Sequence, residues 1–219
     1  MDQFVAFLDV LGTTEMVNRG EFSDWRSLDF ANPVGLAARI FPHMRFAVFS
    51  DSVVVSCPED KPEDLLKSLS FLYGQWYSDY VLVRGGVTFG EIWWVDHPPS
   101  DELFRPLHNF MYARVYGRGL ISAHQLEQRS GPGALCFADD LASHRLASAN
   151  ALYILEGQTD ALVLADRKGV DYWAQVFSLW RSHDSTKDEE RRHLRATEEH
   201  FKRLQASAKA LPDDHRLYE

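Results

Sequence analysis

The sequence predicts an α+β fold in which helices flank a sheet of ferredoxin-like type. Apolar runs of strand length alternate with segments of helical periodicity, and a hairpin pattern lies among them. The composition changes near residue 184, where a densely charged segment begins. We therefore assign residues 1–183 to one domain and residues 184–219 to a charged C-terminal helical extension.

The first strand is predicted at residues 3–9, because a continuous apolar run that ends in a turn is typical of a buried strand. Gly12 and the two threonines after it lead into a short helix. A loop is expected next, with a helix only at residues 36–40. Residues 44–60 contain two β-rich runs separated by the tripeptide SDS, which is the pattern of a hairpin.

Predicted helices and strands continue to alternate in the middle of the chain. A helix is expected to begin near Pro62, and a strand interrupted by glycines follows at residues 81–95. A loop at residues 97–106 precedes a mostly helical pattern at residues 107–127, which is broken at the segment YGRG. Further strands are predicted for the segments GALCFA, LYILEG and ALVLAD, whereas VDYWAQVFSLW is ambiguous.

The charged extension carries a stripe of apolar residues, with Thr197 as its polar exception. The stripe consists of Leu194, Phe201, Leu204, Ala208 and Leu211. Such a stripe can dock the helix on its own domain, or it can pair the helix with a second chain across a dimer. The sequence favours docking and leaves pairing open.

Composition and charge exclude several functional classes. A net charge of −9 argues against a stable nucleic-acid partner. The chain contains no apolar run of membrane-spanning length, no basic N-terminal signal region and no CxxC or HExxH zinc pattern. Cys57 and Cys136 lie in apolar runs, which indicates buried thiols in a reducing compartment. We therefore expect a cytoplasmic protein without a membrane partner.

Asp9 and Asp51 are the residues that point most directly to chemistry. An ionised carboxylate in a buried strand, such as Asp9, costs several kcal/mol unless a positive charge compensates it. Asp51, at the hairpin tip, can meet Asp9 if the first strand and the hairpin are neighbours in one sheet. Together they predict a site for Mg²⁺ or Mn²⁺ that takes its other ligands from water and substrate phosphates. Taken singly, each aspartate is explained more simply as a cap or turn former.

Four segments resemble, in the same order, parts of the class III nucleotidyl cyclases. FLDVLGTT resembles the first metal-binding strand of that family, and FSDSVVV resembles its second metal-binding hairpin. VRGGVTFGEI resembles the glycine-marked strand that follows, and VYGRGLISAHQLE resembles the last catalytic helix, with Gly117, Ala123 and Leu126 in register. The resemblance covers residues 4–138 and is nearest to the pyrimidine cyclases of bacterial anti-phage (Pycsar) signalling.

The resemblance implies a two-metal mechanism. Two divalent ions, Mn²⁺ or Mg²⁺, are expected to be bound by Asp9, Asp51 and the carbonyl group of Val10. The ribose 3′-hydroxyl of a nucleoside triphosphate then attacks the α-phosphorus, which gives a 3′,5′-cyclic nucleotide and pyrophosphate. Substrate contacts are assigned to the first strand and to the turn after it, where backbone N–H groups suit phosphates. These residues are Phe7, Val10, Leu11, Gly12, Thr13 and Thr14.

The sequence departs from the purine cyclases in the catalytic helix. Ile121 and Gln125 occupy the places of the family's ribose-positioning Asn and its transition-state Arg. Arg84 and Arg118 are the nearest cationic replacements and are assigned as catalytic residues. For Arg118, a surface charge beside a flexible turn is an equally good explanation.

The residues that select the base in purine cyclases also differ. Ala47 stands where those enzymes have Lys or Glu, and Arg114 stands where they have Asp or Cys. Arginine only donates hydrogen bonds, so it suits the acceptor oxygens of uracil, or O6 and N7 of guanine, better than adenine. With Arg45 as a second donor, the sequence predicts UTP as substrate and cUMP as product. A purine cyclase is the alternative.

The resemblance also implies partners. The family's site is shared between two protomers, so a homodimer is expected in which the partner supplies Arg114 and Arg118. The aromatic residues Trp93, Trp94 and Tyr112 suit an interface core, although they also suit the protomer's own core. The cyclic nucleotide would be a second messenger in anti-phage defence, read by a separate effector protein.

Two further alternatives come from other functional classes. Another palm-like enzyme, such as a diguanylate cyclase or a polymerase domain, shares the two-carboxylate site, but the hairpin tip here lacks a GGDEF-like sequence. A cyclase-like dimer that binds nucleotide or a partner protein without turnover would explain the missing Asn and Arg. The presence of both metal aspartates favours catalysis over such a binding module.

Overall fold

The computed structural model describes residues 2–20, 24–95, 114–129, 136–146, 161–162, 167–183 and 188–207. Within these ranges six strands form one sheet and two more form a separate ribbon. The strands of the sheet are β1 (Asp2–Val10), β2 (Arg45–Phe49), β3 (Ser52–Cys57), β4 (Val83–Glu91), β7 (Cys136–Ala138) and β8 (Ala161–Leu162). The ribbon pairs β5 (Trp93–Val95) with β6 (Arg114–Tyr116).

Seven helices lie within the described ranges. They are α1 (Thr13–Asn18), α2 (Asp24–Ile40), α3 (Pro62–Ser78), α4 (Arg118–Arg129), α5 (Asp140–Leu146), α6 (Arg167–His183) and α7 (Asp188–Ser207). Among the residues described, no helix is both long and apolar enough to span a bilayer. The predicted α+β fold, a sheet flanked by helices, is confirmed.

The topology of the sheet brings three chain segments together at one end of its central strands. The strand order is β2-β3-β1-β4-β7-β8, and β1 pairs antiparallel with both β3 and β4. The C-terminal end of β1 therefore lies beside the first residues of both neighbouring strands. Asp9 has Ser52 opposite it on β3 and Arg84 opposite it on β4.

The two faces of β1 have different surroundings, because successive side chains of a strand point to opposite faces. One face is buried in the main core with side chains from α2 and α3 and comprises Phe4, Ala6, Leu8 and Val10. On the other face Val5 packs with Val54 and with Ala123 of α4. Since Asp9 is in phase with Val5, its carboxylate is on the face that α4 covers.

Helix α4 lies directly against β4 because Gly86 has no side chain. A Cβ atom at Gly86 would lie 2.3 Å from the carbonyl oxygen of Ala123 and 2.7 Å from the backbone nitrogen of Glu127. Both contacts are far shorter than packed atoms tolerate, so a larger residue would push the helix off the sheet. The close approach brings the C-terminal turn of α4 against the beginning of β4.

Helix α2 corrects the prediction of a loop followed by a short helix at residues 36–40, because it extends over Asp24–Ile40. Its buried face contains Phe30, Val34 and Ala37 at helical spacing. The sequence obscured this helix because Pro33 lies inside it, and proline is about 3 kcal/mol less favourable than alanine in a helix. Packing overrides that preference: Trp76 of α3 stacks on Phe30 and donates a 3.0 Å hydrogen bond to its carbonyl oxygen.

Other segments differ from the prediction in part. Residues 114–116, assigned to a helical pattern, form strand β6, and the ambiguous VDYWAQVFSLW lies within helix α6. Strand β8 covers the first two residues of ALVLAD, and β7 covers the last three of GALCFA. The predicted strand LYILEG, the loop at 97–106 and residues 107–113 with Tyr112 lie outside the described residues.

The C-terminal helix α7 packs on its own chain. Three stripe residues, Leu194, Phe201 and Leu204, are buried. The Phe201 ring lies 5.2 Å from the Phe177 ring of α6 and 5.8 Å from the Tyr77 ring of α3, measured between centroids. Ala208 and Leu211 lie outside the described residues. The division at residues 183/184 stays a prediction.

Candidate active site

The β2–β3 hairpin places Asp51 beside the end of β1. Its turn consists of Ser50 and Asp51, and Ser50 adopts a positive φ of 54°. The backbone N–H of Val10 donates a 3.0 Å hydrogen bond to the carbonyl oxygen of Asp51. This bond joins the hairpin tip to the end of β1, so the two predicted metal residues lie at the same end of the central strands.

Asp9 is half-buried, and its surroundings contain charges of both signs. Burial is the main cause that raises its pKa, and the negative charge of Asp51 raises it further. A 2.7 Å hydrogen bond from the Ser52 hydroxyl to Oδ1, together with the charges of Arg84 and His124, lowers the pKa and so opposes these effects. The effect of Asp51 on the pKa of Asp9 indicates that the two carboxylates lie near each other.

Arg84 is held by a glutamate that sequence reasoning missed. Its Nε atom donates to Oε1 of Glu127, a side chain that is only 1% exposed. Burial raises the pKa of Glu127, while the charge and hydrogen bond of Arg84 lower it. From the sequence Arg84 was assigned as a catalytic residue, but the carboxylate that binds it was not identified. The only available signal was the helical register that places Glu127 four residues after Ala123.

His124 is a second residue absent from the predicted site. Its ring lies edge-on against the ring of Phe7, with centroids 4.6 Å apart, and Phe7 precedes Asp9 by two positions on the same strand face. Its Nδ1 atom lies 3.6 Å from Oε2 of Glu127. Phe7, which was predicted to contact substrate, is therefore in contact with α4.

The turn after β1 was predicted to bind phosphate through its backbone N–H groups, and one of these groups is already hydrogen-bonded within the chain. The Leu11 N–H donates a 2.8 Å hydrogen bond to the carbonyl oxygen of Leu82, so this amide already has a partner. The Met16 N–H bonds to the carbonyl oxygen of Gly12, which places the N–H groups of residues 13 and 14 in the first turn of α1. The Thr13 hydroxyl donates a long 3.4 Å hydrogen bond to the carbonyl oxygen of Val10.

The predicted base-selecting arginines lie away from the aspartates. Arg45 pairs with Ser56 on β3, four residues from Ser52, which corresponds to about 13 Å along the strand. Its guanidinium lies over the Trp94 ring at 5.6 Å from the centroid. Arg114, on β6, lies over the Tyr116 ring at 4.9 Å. Ala47 also lies on β2.

Arg118 begins helix α4, whereas Glu127 lies in its C-terminal part, about 14 Å away along the axis. Arg118 is exposed, so within one chain it does not join the aspartates. Ile121, which is 59% exposed, and Gln125 lie on the outer side of α4. Trp93 is 48% exposed, whereas Trp94 is half-buried and packs in the protomer's second core cluster.

Comparison with solved structures identifies the architecture. The chain is similar to a bacterial light-regulated adenylyl cyclase at a TM-score of 0.51 and 12% identity, over 66% of this chain and 45% of that one. It is also similar to the guanylyl cyclase Cya2 at a TM-score of 0.50 and 11% identity, over 67% of this chain and 78% of that one. This is the class III nucleotidyl cyclase fold. No protein-family model and no curated protein matches the sequence.

In this cyclase fold Asp9 and Val10, at the end of β1, are neighbours of Asp51 at the tip of the β2–β3 hairpin. Among the residues that the structure describes, no group of three or more His, Cys, Asp or Glu side chains could hold a metal ion. A pair of carboxylates with a backbone carbonyl does not suit a fully protein-coordinated ion such as structural zinc. It suits Mg²⁺ or Mn²⁺, because such ions usually keep several waters and bind substrate phosphates.

Proposed function

We propose that this chain is a nucleotidyl cyclase. The observation that carries the proposal is the proximity of Asp9 and Asp51, which results from the pairing of β1 with β3 and from the backbone hydrogen bond between Val10 and Asp51. The cyclase fold supports it, although a likeness at 12% and 11% identity speaks for the fold alone. The similarity covers only 45% of the light-regulated cyclase. The proposal therefore concerns the nucleotidyl cyclase domain alone and not the other functions of that protein.

Asp9, Asp51 and the Val10 carbonyl are the residues that would hold two divalent ions. When bound, these ions would supply charge neutralisation for the triphosphate and lower the pKa of the ribose 3′-hydroxyl. The N–H groups of Gly12, Thr13 and Thr14 bind the β- and γ-phosphate oxygens. Arg84 lies opposite Asp9 on β4, and its guanidinium, which Glu127 holds, adds positive charge near the reacting groups.

The reaction is an intramolecular displacement at phosphorus. The 3′-oxygen loses its proton to solvent and forms a bond to the α-phosphorus, while the bond from the α-phosphorus to the bridging oxygen breaks. The electron pair of that bond leaves with pyrophosphate. The chain's own contribution is to align the 3′-oxygen and the leaving group in line and to fix the triphosphate.

The substrate is a pyrimidine nucleotide, UTP first, and the product is cUMP acting in anti-phage defence. Support for this choice is the presence of Arg114 and Arg45 at positions where purine cyclases place other groups. Each guanidinium lies over an aromatic ring, Tyr116 and Trp94 respectively. The guanidinium is planar, so N–H groups at its edge can donate to the carbonyl oxygens of uracil while its face lies on the ring.

The active unit is a homodimer. Within one chain, Arg118 and the outer side of α4 are remote from Asp9, so they can reach a metal site only if it belongs to another protomer. The exposed apolar side chains Ile121, Trp93 and Tyr116 support burial against a second copy.

One experiment tests the function. Purified protein is incubated with each nucleoside triphosphate in Mn²⁺ or Mg²⁺, and the products are identified by mass. Release of a cyclic nucleotide and pyrophosphate, lost in the variant Asp9→Asn, supports the proposal. No product from any of the four nucleotides, with dimer formation verified, would contradict it.

A second candidate is a cyclase-like protein that binds nucleotide without turnover. The observation that favours it is the pair Ile121 and Gln125 on the outer side of α4, because neither side chain can replace the family's Asn and Arg. This candidate predicts nucleotide binding by calorimetry together with an absence of cyclic product. Substituting Asn and Arg at these positions would then be expected to create activity.

A further inference from the structure

Arg84 and Asp9 lie directly opposite each other on β4 and β1. Opposed residues of antiparallel strands have Cβ atoms about 5 Å apart on the same face, so the Arg84 guanidinium can reach the Asp9 carboxylate. An ion pair between them is therefore the expected arrangement. The described contacts show a different one: Arg84 donates to Glu127, and Asp9 accepts a hydrogen bond from Ser52.

Glu127 is able to hold Arg84 because α4 presents it to the start of β4. The absence of a side chain at Gly86 allows the helix to lie on the strand, with the Glu127 backbone 2.7 Å from where a Cβ would be. The Glu127 side chain is 1% exposed, whereas that of Arg84 is 26% exposed. A carboxylate so buried requires a cationic partner, which makes Glu127 a stronger competitor for the guanidinium than the half-buried Asp9.

The two arrangements have opposite consequences for a cation site. If the guanidinium bound Asp9, it would occupy the carboxylate oxygens that a metal ion needs and would add a positive charge at the same place. With Arg84 turned to Glu127, Oδ1 of Asp9 accepts a hydrogen bond from Ser52, and the guanidinium does not occupy the carboxylate. The competing interactions therefore decide whether Asp9 can serve as a ligand.

We propose that Glu127 is a positioning residue that withholds Arg84 from Asp9 and thereby keeps the Asp9 carboxylate available to bind a divalent cation. That Asp9 binds a divalent cation rests on the proposed function. The competition between Glu127 and Asp9 for the Arg84 guanidinium does not depend on that function, so it can be tested without metal or nucleotide.

The direct test is a metal-free crystal structure of Glu127→Gln. With its counter-charge removed, Arg84 is expected to turn to Asp9 and to bring a guanidinium nitrogen within about 4 Å of a carboxylate oxygen. An Arg84 side chain that keeps its original position, or that turns to solvent, would overturn the proposal. If Glu127→Gln does not fold, Glu127→Asp replaces it, because the shorter carboxylate holds Arg84 less closely.

The functional test is Mn²⁺ binding to the protein alone, followed by electron paramagnetic resonance. Loss of a residue that orients a metal ligand typically costs about 10–100-fold in affinity, and we expect a decrease of this size for Glu127→Gln. The double variant Arg84→Met with Glu127→Gln should bind Mn²⁺ as the wild type does. Arg84→Met alone breaks the same ion pair but should not weaken binding, which separates the proposal from a purely structural role.

Two controls complete the design. Glu198→Gln removes another fully buried helical glutamate, on α7, and should leave Mn²⁺ affinity unchanged. Repeating the titrations at high ionic strength removes long-range charge effects, whereas a direct Arg84–Asp9 pair persists.

Equal loss of affinity in Arg84→Met and Glu127→Gln would overturn the proposal. Failure of the wild type to bind Mn²⁺ would instead contradict the proposed function, and the crystal structure would still decide the role of Glu127.

Discussion

The Ser52 hydroxyl donates a 2.7 Å hydrogen bond to Oδ1 of Asp9, its directly opposed neighbour on β1. The bond opposes burial and the charge of Asp51, both of which raise the pKa of Asp9. It also fixes the orientation of the carboxylate at the sheet edge. Ser52 therefore orients the principal predicted metal ligand and lowers its pKa.

Replacing Ser52 with alanine should move the acidic limb of the pH profile of kcat/KM to higher pH. The expected shift is about 1 unit, because a hydrogen bond to a charged group is worth about 1.5 kcal/mol. Ser56→Ala is the matched control on the same strand, since Ser56 bonds to Trp94 rather than to Asp9. An acidic limb that does not move would show that Ser52 has no influence on the ionisation of Asp9.

Asp9→Asn and Asp51→Asn should each abolish cyclic nucleotide formation while leaving the fold intact. The pKa of Asp9 is raised above its ordinary 3.8, so the folded state binds the proton more tightly than the unfolded state does. Stability therefore decreases as pH rises through the window between 3.8 and the raised value. Removing the charge relieves this cost, and the Tm of Asp9→Asn without metal should equal or exceed that of the wild type above this window.

The same two variants test the metal assignment through thermal unfolding. Mn²⁺ that binds only the folded wild type should raise its Tm, and the increase should disappear in both variants. Near-normal product formation by either variant would rule out the two-metal interpretation. A large fall in Tm without metal would mean that the aspartate has a structural role.

An element of the fold could be predicted from the sequence where its pattern is contained in one short segment, and it was missed where the pattern depends on tertiary contacts. The first strand, the hairpin around Asp51 and the helix beginning at Pro62 were predicted because their periodicity and turn residues are contained in short segments. Helix α2 was missed because Pro33 weakens a pattern that only tertiary packing completes. Strand β6 was missed because three residues carry too little periodicity to be separated from the helix that follows.

The residues of the candidate site also differ in whether a local sequence pattern points to them. Asp9 and Asp51 could be selected as candidates from the sequence because each lies at the end of a recognisable strand or between two such strands. Glu127 was not, because its partner Arg84 is 43 residues away in sequence and the pairing depends on the close packing of α4 on Gly86. The occupation of the Leu11 amide by Leu82 is likewise a long-range contact with no signal in the local sequence.

Base choice should follow Arg114. In a competition between all four nucleotides, the wild type should consume UTP in preference to ATP. Loss of one arginine hydrogen bond to the base costs about 1–3 kcal/mol of discrimination, so Arg114→Ala should reduce this preference at least severalfold. Arg129→Ala, an exposed arginine in the last turn of α4, is the control. A clear preference of the wild type for ATP would contradict the assignment of Arg114.

Both thiols should be unreactive in the folded protein. Burial is the main cause that raises the pKa of Cys57 to about 12 and that of Cys136 to about 12. Thiolate is the reacting species, so a thiol reagent near neutral pH should modify neither residue until the protein unfolds. Rapid modification of the native protein, located by mass, would show that one of these strands is accessible.

A mixing experiment tests whether two chains share each site. Asp51→Ala removes a predicted metal ligand, and Arg118→Ala removes a predicted catalytic group that we assign to the partner's site, so each homodimer should be inactive or nearly so. In a mixed dimer, one site carries both lesions and the other carries none. Equal amounts that exchange freely should therefore recover up to about a quarter of wild-type activity. Pairing Asp51→Ala with Asp9→Ala is the control, because both lesions affect the same half-site and no intact site can form. No recovery in the first mixture, with exchange verified by mass, would mean that each chain builds its site alone.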